Sequence, residues 1–123
     1  METARQQRGK RNYLAGLAAE GAVEGLYARR GGGTLDRRWR GAAGEIDLIV
    51  RDGESYVFVE VKQSRTHAAA LARVSRRQAE RIMASACEYL ANRPGGEFAE
   101  MRFDVATVDG AGRVEILENA FAA

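Results

Sequence analysis

Two runs of alternating polar and apolar residues, 45–51 and 56–62, joined through Asp52-Gly53, constrain this chain more than any other stretch. Strand side chains point to opposite faces in turn. Ile46, Leu48 and Val50 therefore share one face with Val57, Val59 and Val61. Glu45, Asp47 and Ile49 share the other with Tyr56, Phe58, Glu60 and Lys62. An Asp-Gly pair accepts the positive φ angles of a tight hairpin. A two-residue turn pairs Asp47 with Phe58 and Glu45 with Glu60, whereas a four-residue loop sets Asp47 opposite Glu60. Both registers keep Asp47, Glu60 and Lys62 together, and a slip by one residue would wreck both faces.

That face gathers two carboxylates and an amine beside Ile49 and Phe58. Charges there are costly to bury unless they are paired or hold a metal. Two oxygen ligands beside a lysine suit a hard cation such as Mg²⁺. Such an ion polarises a phosphoryl oxygen and acidifies a bound water, which a lysine can orient. The same pattern also suits a half-exposed hairpin with a Glu–Lys pair on its wet side. Of 19 basic residues, only Lys10 and Lys62 are lysines, so the amine at 62 stands out against a chain that otherwise uses arginine.

Asp47, twelve further residues and then Glu60-Val61-Lys62 resemble the PD-(D/E)xK nuclease signature. The strings 44–49, GEIDLI, and 58–62, FVEVK, resemble the YraN family of small bacterial proteins, regarded as predicted endonucleases related in fold to archaeal Holliday-junction resolvases. The likeness runs from Gly16 to Phe121. It implies that Asp47 and Glu60 hold Mg²⁺ or Mn²⁺, that Val61 offers its backbone carbonyl, and that Lys62 positions the attacking water. Gly16-x-x-x-Glu20 matches a family glutamate, which makes Glu20 a further catalytic and metal-ligating candidate. Arg77-Gln78 stands where the family has lysine and glutamine, and implies contacts to substrate phosphates. The family's arginine two residues beyond the lysine is replaced by Ser64, with Arg65 following, and its asparagine is replaced by Arg38.

A chain of 123 residues suits one domain with a modest core. A net charge of +2 leaves nucleic-acid affinity to local arginine clusters. Residues 1–12, with Arg5, Arg8, Lys10 and Arg11, read as a mobile basic arm or a frayed end, followed by a single nuclease-like domain over 13–123. Residues 13–30 predict a helix with Leu14, Leu17, Ala18, Gly21, Ala22 and Gly25 inward, and with Glu20 and Glu24 aimed over the sheet rim toward Asp47 and Glu60. Three glycines end it. Residues 34–40 predict an edge strand on which Arg37, Arg38 and Arg40 surround Trp39, either to grip nucleic acid or as wet neighbours of a buried ring. His67 reads as incidental, and 63–72 as a connection. A second helix, from 74 or 75 to 92, carries Arg73, Arg77 and Arg81 as a basic stripe, Cys87 as a buried thiol, and Val74, Ile82, Met83, Ala86, Tyr89 and Leu90 inward. Strands at 101–108 and 113–117 follow, with Asp104 structural and Phe121 an anchor.

The expected fold is therefore α/β: a restriction-endonuclease-like core, a central mixed β-sheet with helices packed on it, in the order α-β-β-β-α-β-β. The expected function is divalent-metal-dependent hydrolysis of phosphodiester bonds in DNA, branched junctions included. The nucleic-acid contacts would fall to Arg38, Arg40, Arg65, Arg73, Arg77, Gln78 and Arg81. The alternative is a nucleic-acid-binding module that keeps the fold without turnover. A homodimer suits a two-fold junction. No apolar run approaches the roughly 20 residues that span a bilayer, and the charged start is unlike a signal peptide. The expected setting is the cytoplasm, without a membrane partner.

Overall fold

The computed structural model describes residues 1–121, so the last two residues of the expected 13–123 domain lie outside the described residues. Its elements are α1 (Ala4–Arg29), β1 (Gly33–Arg40), β2 (Glu45–Asp52), β3 (Ser55–Gln63), α2 (His67–Ala72), α3 (Arg76–Ala91), a 3₁₀ turn (Gly96–Phe98), β4 (Glu100–Val108) and β5 (Val114–Leu117). The strands form one sheet in the order β1-β2-β3-β4-β5. Only β3 and β4 run parallel. That single parallel step needs a crossover, which α2 and α3 provide. The result is an α/β fold with a mixed five-stranded sheet. No helix among the described residues is long and apolar enough to cross a membrane.

The central hairpin adopts the register that sets Asp47 against Glu60. Asp52 pairs with Ser55, and the ladder runs back to Leu48 opposite Val59. The turn residues are Gly53, at φ 60°, and Glu54, so the reversal sits one residue beyond the Asp52-Gly53 pair. Leu48, Val50, Val57 and Val59 face α1. Ile49, Tyr56 and Phe58 face α3. Ile46 departs from the expected parity and joins the α3-side core with Ile49. Before Leu48, β2 is no longer paired with β3 and lies only along β1, whose Arg38 takes φ 50°; the end of the ribbon rotates there.

Helix α1 buries a different stripe from the one its leucines suggest. Ala19, Val23 and Tyr27, spaced four apart, lie against the sheet, while Leu14 and Leu17 remain 54% and 39% exposed. Val23 reaches a sheet surface already filled by valines, and the Tyr27 hydroxyl donates to the buried Asp104 at 2.6 Å. Asp104 also holds Arg102 and the Asn119 amide, which makes it structural. The helix begins at Ala4 rather than near Tyr13. Thr3 and Gln6 form a reciprocal capping box that satisfies orphan amides at its start.

On the other face, α3 starts behind the Ser75 cap and buries Ile82, Ser85, Ala86, Tyr89 and Leu90. Tyr89 meets Trp39 and Phe58 edge-on, and Phe121 packs beside Phe103. Cys87 is exposed, contrary to expectation, because Ile82, Ala86, Tyr89 and Leu90 set the inward side and Cys87 falls outside it. The segment read as a connection contains α2, capped by the Thr66 hydroxyl on the Ala69 amide. Its six residues are too few to show a helical period.

Candidate active site

One step beyond the last β2–β3 pair, where the strands part, come Asp47 and Glu60. The gap is closed by a side chain: Asp47 Oδ2 accepts a hydrogen bond from the Val61 amide at 2.9 Å. The Asp47 carboxylate thereby lies beside the strand that carries Glu60. Glu60 is 7% exposed. Its burial, the Asp47 charge and a hydrogen bond shared with Asp47 push its carboxyl up to about 7, against the pull of Lys62. Lys62 Nζ lies 3.5 Å from Glu60 Oε1, and its side chain is 13% exposed. With its amide turned to satisfy both ends, Gln78 donates to the Arg73 carbonyl and accepts from Lys62 Nζ, each at 3.2 Å. Two carboxylates and one ammonium thus meet in partly buried surroundings, where the acids crowd one another.

The loop ahead of Asp47 is tied down by α3. Ser85 donates to the Gly44 carbonyl at 3.2 Å, and Glu88 accepts from the Ala42 amide at 2.9 Å. Gly44 takes φ 146°, and a Cβ there would lie 2.6 Å from Arg81 Cδ. Only glycine fits both the backbone and the arginine stem above it. Ser85, Glu88 and Arg81 thus position Asp47 through its loop. Sequence reasoning missed the first two, because contacts 41 and 46 residues apart leave no local trace.

Several expected site residues are directed elsewhere. Glu20 pairs with Arg38 at 2.9 Å, and Glu24 pairs with Arg37. Both glutamates lie over the arginines of β1 instead of reaching toward Glu60, since long guanidinium side chains on the edge strand meet them first. Among the described residues, no group of three or more Asp, Glu, His or Cys side chains is close enough to hold a metal. Arg40 pairs with Glu45 at 3.5 Å. Trp39 is half-buried against Tyr89.

The basic stripe of the second helix is interrupted. Arg73 caps α2 and donates to the Gln63 carbonyl at 2.8 Å, Arg81 lies over Gly44, and Arg77 stands exposed in the first turn of α3. Arg65 lines an open groove of about 620 Å³ with Arg73, Gln63 and Ser64. His67 is not isolated. Its Nδ1 lies 2.7 Å from Thr107 Oγ1, and Thr107 stands beside Lys62 in the β3–β4 register.

The model of uncharacterised protein family UPF0102 matches residues 19–108, a span holding Asp47, Glu60, Lys62 and Gln78. A UPF0102 protein of Cereibacter sphaeroides is 58% identical over 115 residues, covering 94% of this chain and 98% of its own. One of Ruegeria pomeroyi is 58% identical over 114 residues, 93% of each chain. One of Dinoroseobacter shibae is 49% identical over 116 residues, 94% of this chain and 87% of its own.

Proposed function

The chain belongs to uncharacterised protein family UPF0102, and we propose that it is a divalent-metal-dependent endonuclease of the PD-(D/E)xK kind, acting on phosphodiester bonds in DNA. The reading agrees with the YraN-like strings around Asp47 and Glu60. The observation that carries it is the meeting of Asp47 and Glu60 where β2 leaves β3, with Lys62 beside them. A buried glutamate crowded by a part-buried aspartate, with one fixed counter-charge, is poorly explained by stability, because the two repel and Glu60 is driven toward its neutral form. It is well explained as a site for a hard cation, which accepts one or two protein carboxylates and keeps its other positions for water and phosphate.

The donor set fits Mg²⁺ or Mn²⁺. Asp47 and Glu60 would hold the ion, with Val61 offering its carbonyl, and the ion would supply Lewis-acid polarisation of a phosphoryl oxygen. Glu20 would share in the site only after giving up Arg38. Lys62, fixed between Glu60 and Gln78, orients the attacking water and offsets charge gathering on the phosphate. Water attacks phosphorus in line, the bond to the 3′ oxygen breaks, and that oxygen leaves as a hydroxyl once protonated. The low exposure of Lys62 keeps its ammonium from being screened by solvent.

Branched DNA is the proposed substrate class, on the likeness to junction resolvases. Paired nicks on a two-fold junction would require a homodimer. The test is nicking of supercoiled plasmid and of a four-way junction in Mg²⁺ and in chelator. Cleavage only with metal, lost by at least about a hundredfold in Lys62→Ala, is expected. Tight binding without cleavage by the wild-type protein would favour the turnover-free binding module, a reading that Glu20's engagement with Arg38 supports.

A further inference from the structure

The first two turns of α1 have none of the other described elements beneath them. Residues 1–15 are exposed, and contacts with the body begin at Asn12 and Tyr13, so the stretch from Ala4 to Arg11 overhangs it by about 12 Å at 1.5 Å per residue. It overhangs at a particular end. Asn12 and Ala15 line one wall of the open groove whose other wall is Gln63, Ser64 and Arg65, immediately after Lys62. The opposite end of the helix lies by the turn of the hairpin, since the glycines after it lead into Gly33 opposite Arg51.

The charge on the overhang is placed on one side. At about 100° per residue, Arg5, Arg8 and Asn12 fall within a sector of roughly 60° that also contains Ala19 and Val23, and Arg11 lies roughly 60° to one side of it. The face that is buried further along the helix therefore turns basic where the sheet stops. That face has no carboxylate in its first turn, and among the described residues Arg5, Arg8 and Arg11 form no ion pair. Across the groove stand Arg65 and Arg73, both exposed. The far wall is cationic. The α1 wall at Asn12 and Ala15 is neutral, with Arg5, Arg8 and Arg11 further out along the helix, and Gln63, the residue after Lys62, lines the groove between them.

We propose that the overhanging start of α1 is a phosphate-backbone clamp, in which Arg5, Arg8 and Arg11 grip one strand of a DNA duplex lying in the groove against Arg65 and Arg73. This rests on the nuclease reading and adds to it the path of the substrate. The charge complementarity is that of a linear polyanion, since the arginines recur along about 9 Å of helix, roughly two to three phosphate repeats of one strand. A lipid surface is a poorer match. A helix lying in a membrane interface needs a continuous apolar face, and residues 4–12 contain alanine as their one apolar side chain.

The test is binding of a 30-base-pair duplex and a four-way junction across a salt series. It compares wild type, Arg5→Gln/Arg8→Gln/Arg11→Gln, and the control Arg29→Gln/Arg30→Gln at the far end of the same helix. Glutamine preserves helix propensity, and circular dichroism checks that α1 remains formed. The clamp predicts that the triple variant loses about two to three units of the slope of log affinity against log salt, with the control unchanged. A triple variant with the wild-type slope overturns the clamp and leaves the nuclease reading standing. A wild-type protein that binds neither DNA overturns both. Binding of wild type to phosphatidylglycerol vesicles in preference to either DNA also overturns the clamp and assigns the helix to a membrane surface.

Discussion

Asp47 hydrogen-bonds the Val61 amide across the point where β2 parts from β3, at 2.9 Å, and so holds its carboxylate against Glu60 by a backbone contact. The register of the hairpin puts the acids side by side, and their repulsion is borne by a fold anchored elsewhere. Lys62 offsets only part of that charge.

A pH dependence follows, with its sign fixed by Glu60. Its folded-state carboxyl is raised from 4.5 to about 7, first by burial and then by Asp47. The fold binds this proton more tightly than the unfolded chain does. The contribution to stability is therefore complete below pH 4.5 and is lost as pH rises through about 7. Chemical denaturation in chelator should show the wild type losing on the order of 3 kcal/mol over this window. Glu60→Gln should lose much less. Glu24 and Asp109, held below their ordinary range by Arg37 and by the Arg113 amide, act at lower pH and leave the window clear. A flat wild-type profile from pH 5 to 8 would mean that Glu60 is not strained.

Glu20 is bound to Arg38, so Glu20→Gln should leave Mn²⁺ affinity within about twofold of wild type, a difference of less than about 0.5 kcal/mol. Calorimetric titration measures this directly. A tenfold or greater loss would bring Glu20 back as a ligand that leaves Arg38 when the metal arrives.

The stripe of α1 is tested by two truncations. Val23→Ala should cost about 2 kcal/mol, because Val23 is fully buried against the sheet. Leu17→Ala should cost clearly less, about 1 kcal/mol at most, because Leu17 is 39% exposed and lies outside the buried stripe. The reverse order in urea melts would restore the leucine-based stripe.

That contrast shows what the sequence could and could not convey. Strand parity needs only neighbours in the chain, so the alternation around Asp47 and Glu60 was legible, and so was the face shared with Lys62. The choice between two registers was not, because Asp52-Gly53 allows both and the ladder alone decides. On α1, Leu14 and Leu17 supplied the strongest apolar signal, yet the helix turns its Ala19, Val23 and Tyr27 stripe to the sheet and leaves the leucines outside it; which stripe meets the sheet is a tertiary fact. Glu20 and Glu24 met arginines 18 and 13 residues away, a pairing that helical spacing cannot foresee. Ser85 and Glu88, which hold the loop before Asp47, are invisible for the same reason.

Gly44→Ala should act on the site through that loop. The added methyl meets Arg81 and an unfavourable φ, which together cost on the order of 1–3 kcal/mol. Asp47, three residues on, should be displaced, so Mn²⁺ affinity should fall with stability. Loss of stability with unchanged Mn²⁺ affinity would separate the loop from the carboxylate pair.

The most direct measurement compares thermal unfolding of wild type and Asp47→Asn at pH 7.5, in chelator and in excess Mn²⁺. Asparagine keeps an oxygen to accept from the Val61 amide while removing the charge that crowds Glu60. In chelator the variant should therefore melt at or above the wild-type temperature. A hundredfold excess of Mn²⁺ over Kd should stabilise the wild type by about 2.7 kcal/mol, and the variant should gain much less. Equal gains in the two proteins, or none in either, would contradict a metal site at Asp47 and Glu60.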